Sequence, residues 1–289
     1  NGSIEVTVNT DKLRAGGIEI NGDITTKDLD QNDDGTIVLK VVSNKGFDSK
    51  VADGDLIVHG NIDSSETLDV TSQQGVILLD GDVEADNKIT LSAGGDNQDD
   101  SGEYDIRVTG DMKTTDDGDI DVKVVDNSFD SDHKYADNQD DIRFDGKVNS
   151  DADLNVTTQG DVFANGKLHS KGSMKISAGD DIELNATPES AESGSTMQLL
   201  ADQDPDNGQG NLNVAGNLVG NMTLSGTNIE VDGTVESFGT LDAYADVDMT
   251  FQDNVTSKGR MTMKAGNEII TNGEVTVNED ALNMSAKAV

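Results

Sequence analysis

Apolar residues in this chain alternate with polar ones in short runs, and the runs recur in register. Ile18 and Ile20, Leu56 and Val58, Ile77 and Leu79, Ile106 and Val108, and Ile142 and Phe144 each stand four and two residues before an anchor position. Leu212 and Val214, Ile229 and Val231, and Met249 and Phe251 do the same. The anchor is Gly22, Gly60, Gly81, Gly110, Gly146, Gly166, Gly216, Gly233 or Gly273, with Ala186 and Asp253 in two degenerate copies. Two residues past it a second apolar slot returns, as Ile24, Ile62, Val83, Met112, Val148, Leu168, Leu218, Val235, Val255 and Val275. A third run closes the unit, as in Leu68 and Val70, Ile89 and Leu91, Met174 and Ile176, and Met261 and Met263.

Period-two alternation turns one side of a strand inward and the other outward. Three short strands joined by turns cannot bury their inner faces alone. Stacking successive units does so, and pairs every strand with its copy one coil away. The pattern therefore predicts an all-β fold, a parallel β-helix (β-solenoid) of about eleven coils of about 20 residues with three short strands per coil, spanning residues 1–289 as one domain. The rival is an antiparallel sandwich, because Asn21-Gly22, Asp80-Gly81 and Asp145-Gly146 read as hairpin turns. A sandwich gives no reason for one period with the same three apolar slots. The chain has only 2 prolines, which fits a backbone whose N–H groups are nearly all needed in ladders.

Some units resemble a known family. Gly166-Lys-Leu-His-Ser-Lys-Gly-Ser-Met-Lys-Ile-Ser-Ala-Gly-Asp-Asp-Ile-Glu-Leu-Asn185 is similar to the repeats of filamentous haemagglutinin-like exoproteins, as are Lys88–Gly95 and Met261–Ile269. The resemblance covers most of the chain from about residue 17 onward. It implies a right-handed parallel β-helix from a large bacterial exoprotein, often exported by two-partner secretion. An extracellular or cell-surface location follows from the same resemblance.

The extra residues gather after the third run, at 42–54, 92–104, 125–140 and 200–210, with a further acidic segment near 28–36. Asp and Asn at alternate positions supply the oxygens that calcium takes. Asp30, Asn32 and Asp34, followed by Gly35, match the opening of an EF-hand-like loop, although Val41 stands where the bidentate acid belongs. Asp202, Asp204 and Asp206 form a looser version. Calcium is the cofactor this pattern points to. The competing reading is that Asp, Asn and Gly make good turns and that acid keeps the surface solvated.

Charge narrows the partners. With 57 acidic and 20 basic residues the net charge is −37, which repels nucleic acid and anionic membranes. No cysteine is present, so no disulfide frames the fold, and no apolar stretch is long enough for a transmembrane helix. His59, His133 and His169 belong to no metal or nucleophile motif. A polysaccharide-acting β-helix enzyme would need basic residues or aromatic platforms, and the chain holds four arginines and no tryptophan. The reading is a non-enzymatic structural or adhesive protein binding a receptor or glycan. The alternative is a filament subunit that polymerises by end-to-end coil stacking, since Ile4, Val6 and Val8 and Leu282 and Met284 already alternate as strand.

Overall fold

The computed structural model describes residues 3–10, 17–26, 35–43, 55–73, 75–94, 104–125, 141–192, 194–203 and 210–287. Within them the chain is all-β, a parallel β-helix of about eleven coils with three strands per coil. It divides into two compact units, residues 1–151 and 152–289.

In each unit the chain visits three parallel sheets in turn. In the first unit, sheet 1 holds Ile4–Thr10, Ile37–Ser43, Thr67–Ser72, Lys88–Ala93 and Asp119–Val124. Sheet 2 holds Ile18–Asn21, Leu56–His59, Ile77–Leu79, Ile106–Val108 and Ile142–Phe144. Sheet 3 holds Ile24–Thr25, Ile62–Ser64, Val83–Ala85, Met112–Thr114 and Val148–Ser150. In the second unit, sheet 1 holds Leu154–Thr157, Met174–Ser177, Thr196–Leu200, Asn221–Gly226, Leu241–Ala245, Met261–Ala265 and Leu282–Ala286. Its sheet 2 runs from Val162–Ala164 to Glu268–Thr271 and its sheet 3 from Leu168–Ser170 to Val275–Val277.

Register follows the apolar slots. Ile77 pairs with Ile106 and Ile106 with Ile142; Met222 pairs with Leu241 and Leu241 with Met261. A slip of one residue would turn each apolar set outward, so the burial of one face fixes the pairing. Leu79, Leu91, Ile120, Ile182, Leu199 and Met249 are fully buried, and Phe144 and Phe251 fill the widest slots.

The dipeptides that imitate hairpin turns are corners between sheets 2 and 3. The Asp80 N–H donates to the Val58 carbonyl at 2.9 Å and the Asp145 N–H to the Val108 carbonyl at 2.9 Å, so each bonds the preceding coil instead of closing a hairpin. Gly22 takes a φ of +147°, where glycine is favoured. Its successors are glycine for a different reason: a Cβ on Gly81 would stand 2.3 Å from the Gly60 carbonyl oxygen, and one on Gly146 would stand 2.1 Å from that of Gly110. Backbone lies on backbone along this corner.

A polar column inside the fold escaped the sequence reading. Four residues past the anchor stand Thr26, Ser64, Thr114, Ser150, Ser170, Ser190, Ser237 and Ser257, all buried. Ser170 Oγ lies 2.7 Å from the Ala152 carbonyl oxygen and 3.0 Å from that of Ser173. Ser64 Oγ lies 2.9 Å from the carbonyls of Gly35 and Thr67. These hydroxyls add a donor to carbonyls at the turn from sheet 3 to sheet 1; those of Ala152 and Ser173 also accept the backbone N–H groups of Gly172 and Leu154.

The segments at 42–54, 92–104, 125–140 and 200–210 each leave a strand of sheet 1 and return on a strand of sheet 2. The segment near 28–36 lies between sheets 3 and 1. The interiors of all five fall outside the described residues.

Candidate functional surfaces

Much of the acid at the corners is engaged with backbone. At the corner from sheet 2 to sheet 3, the Asn61 N–H donates to Asp23 Oδ1 at 2.8 Å and the Asp82 N–H to Asn61 Oδ1 at 2.9 Å. The Asp111 N–H then donates to Asp82 Oδ1 at 2.9 Å, and the Lys147 N–H to Asp111 Oδ1 at 2.8 Å. In the second unit the corner from sheet 1 to sheet 2 repeats the device: the Asp181 N–H donates to Asp161 Oδ1 at 2.8 Å and the Asn211 N–H to Asp181 Oδ1 at 2.6 Å. Each short side chain thus satisfies a donor one coil away. Burial pushes the Asp161 carboxyl up to about 6, and the nearby carboxylates of Asp181, Asp180 and Glu183 add to that.

Of the residues expected to hold calcium, Asp30, Asn32, Asp34, Asp204 and Asp206 lie outside the described residues. Asp202 is described and adopts a φ of +59°. Its Oδ2 accepts the Thr227 hydroxyl at 2.8 Å, and its N–H donates to the Asp180 carbonyl at 3.1 Å. Among the described residues no three His, Cys, Asp or Glu side chains gather where they could hold a metal ion.

The outer faces carry the remaining chemistry. On sheet 2 of the first unit, Arg107 pairs with Arg143 on the next coil, and both reach one carboxylate. Arg107 Nη2 stands 2.9 Å from Asp145 Oδ2, and Arg143 Nε stands 2.7 Å from Asp145 Oδ1. Arg143 Nη1 also donates to the Tyr104 hydroxyl at 2.6 Å, with its Cζ 5.1 Å from the ring centroid. The sequence reading missed this pair, although an arginine three residues before two successive anchors was the signal. On the same face His59 Nδ1 lies 2.6 Å from Asp80 Oδ2. On sheet 3 of the second unit, Lys167 Nζ lies 2.5 Å and His169 Nδ1 3.6 Å from Glu189 Oε2. The Lys167 ammonium lowers the Glu189 carboxyl below its ordinary range. His133 lies outside the described residues.

Charge is distributed unevenly. The 34 strands together carry 14 acidic and 8 basic residues, a net of −6 against −37 for the whole chain. The described residues outside the strands carry 25 acidic and 6 basic residues, a net of −19, so the sheet strands are comparatively neutral. Comparison of the chain with protein-family models, with curated proteins and with solved structures gives no match.

Proposed function

We propose that this chain is a non-enzymatic structural or adhesive β-solenoid of a bacterial cell surface, acting outside the cell by presenting its outer faces to a receptor or glycan. One observation carries the reading. The apolar side chains of the three sheets pack inward and are mostly 0–2% exposed, while in each unit the outward side chains stand in register from coil to coil. A fold of this kind offers ligands a repeating surface, with rungs about 4.8 Å apart. The likeness of its units to haemagglutinin-like exoprotein repeats supports the bacterial, secreted setting.

End-to-end assembly is the second reading, and it draws on the coil of Leu282 and Met284. These side chains pair in register with the buried Met261 and Met263, yet are 45% and 42% exposed. A strand edge with apolar side chains beside it accepts a further coil, from the same chain or from another molecule.

The test is a surface coated with the purified chain and challenged with whole cells, alongside negative-stain microscopy with and without calcium. Cell retention above an inert coat supports the adhesive reading, and its absence removes it. Uniform fibres support assembly, and fibres that require calcium assign the ion to it. A metal-stripped sample that gives no heat on titration with calcium removes Asp30, Asn32 and Asp34 as ligands.

A further inference from the structure

In the second unit the three outer faces differ in charge. The strands of sheet 2 carry Glu183, Glu230, Asp248 and Glu268 with no basic residue, and those of sheet 3 carry Glu236 and Glu189, the latter paired with Lys167 beside the strand. The seven strands of sheet 1 carry only Lys175, Lys264 and Asp242. Apart from Leu200 the rest of that face is hydroxyl and carboxamide, in two columns, with Thr262 nearly covered. One column runs Asn155, Lys175, Gln198, Thr223, Asp242, Thr262 and Asn283. The other runs Thr157, Ser177, Leu200, Ser225, Tyr244, Lys264 and Ser285.

Near the middle of this face stands an aromatic ring. Tyr244 is 39% exposed, one of the few large apolar side chains left open in the described residues. Lys264 Nζ lies 5.5 Å from its ring centroid on the next coil, a cation–π contact. Beside it Arg260 Nη2 pairs with Asp242 Oδ2 at 2.9 Å, so the one carboxylate in the column is neutralised. Leu200 sits half-buried two coils away in the same column as Tyr244.

We propose that the outer face of sheet 1 in the second unit binds a neutral polysaccharide, with Tyr244 stacking on a sugar ring and the Thr, Ser, Asn and Gln columns exchanging hydrogen bonds with its hydroxyls. This deepens the adhesive reading and rests on it. The charge pattern selects the ligand class. An anionic polymer is repelled by the carboxylates of the flanking corners, and a cationic one is drawn to the face of sheet 2. A neutral polymer loses nothing on sheet 1. A protein partner would need an apolar centre to its footprint, which Tyr244 and Leu200 alone do not make. Sugars offer what this face is built to meet: hydroxyls at its edges and an apolar C–H surface for the ring.

The experiment passes the full chain over columns of cellulose, chitin and a neutral soluble glucan, with the polyuronate alginate as the anionic control. Retention on at least one neutral polysaccharide is expected, weakened about tenfold or more by Tyr244→Ala, kept by Tyr244→Phe, and untouched by Asn213→Glu on sheet 2. Circular dichroism establishes that each variant keeps its sheet content. Retention on none of the neutral polymers, stronger retention on alginate, or full binding by Tyr244→Ala overturns the inference. If the coated surface still holds whole cells while no neutral column retains the chain, this face is excluded and the adhesive reading stands. If Tyr244-dependent retention occurs and no cells are held, the face stands and adhesion falls.

Discussion

Asp161 and Ser170 show how single polar side chains are fitted into a stack of coils. Asp161 accepts a backbone N–H from the next coil while buried near Asp180, Asp181 and Glu183, and its carboxyl is pushed up to about 6. Its folded pKa is thus raised above the ordinary 3.8, so the fold binds its proton more tightly than the unfolded chain does. Between about pH 4 and 6 stability falls as pH rises, and above about 6 the full penalty is present. Asp161→Asn keeps an acceptor oxygen and removes the charge. It is expected to raise the urea midpoint at pH 8 and leave it nearly unchanged at pH 4; equal midpoints at both values would show that the carboxylate carries no penalty. Ser170→Ala is expected to lower stability by about 0.5–1.5 kcal/mol, because the hydroxyl bonds the half-buried carbonyls of Ala152 and Ser173, which keep their backbone N–H donors when it is removed. Ser170→Thr, which places there the residue found at Thr114, should retain most of it, as read by urea unfolding of each variant.

Strands and corners obey different constraints. A strand needs its apolar slot filled, and Leu, Ile, Val, Met and Phe exchange there freely, as Val108 over Leu79 and Met261 over Leu241 illustrate. The corner between sheets 2 and 3 needs the absence of a side chain. A Cβ on Gly81 would meet backbone atoms of Gly60 at 2.3 and 2.5 Å, and backbone cannot swing aside as a side chain does. Gly81→Ala is expected to cost about 1–3 kcal/mol through forced separation of two coils. Gly194→Ala is a useful contrast, since no atom lies within 4 Å of its added Cβ and any cost comes from its φ of +104° alone. Urea midpoints of the two variants separate crowding from backbone strain, and a smaller loss at Gly81 than at Gly194 would contradict the crowding account. Because coils are coupled only to their neighbours, such losses can melt one part of a stack before another.

At the scale of the whole molecule the dominant quantity is charge. Only −6 of the −37 resides in the strands, while the described residues between strands carry 25 acidic and 6 basic side chains, a net of −19. Carboxylates stacked at the coil spacing repel, and that repulsion opposes folding. Raising the ionic strength from about 0.1 M to about 1 M shortens the screening length from about 10 Å to about 3 Å, below the spacing between coils. The unfolding temperature is therefore expected to rise with sodium chloride in a thermal melt followed by circular dichroism. A flat or falling response would mean that the pairs at Arg107, Arg143, Lys88 and Lys167 already balance the local charge.

The period of the apolar slots by itself determined the three-strand coil, the parallel stacking and the inward side chains such as Ile77, Met112 and Val156, because period-two alternation repeated at one interval has a single way to bury every inner face. It also placed the anchor glycines at corners. It could not distinguish glycine needed for its φ, at Gly22, from glycine needed for close approach, at Gly81, since both are the same letter. Nor did it disclose the serine column, because serine reads as an exposed turn residue until the carbonyls of the adjoining turn are placed within its reach. The outer faces were the least legible. Arg107 with Arg143, and Tyr244 with Lys264, are far apart along the chain and become neighbours only when one coil is laid on the next. What touches across coils is decided by register and by the lengths of the intervening segments, and those are properties of the tertiary structure.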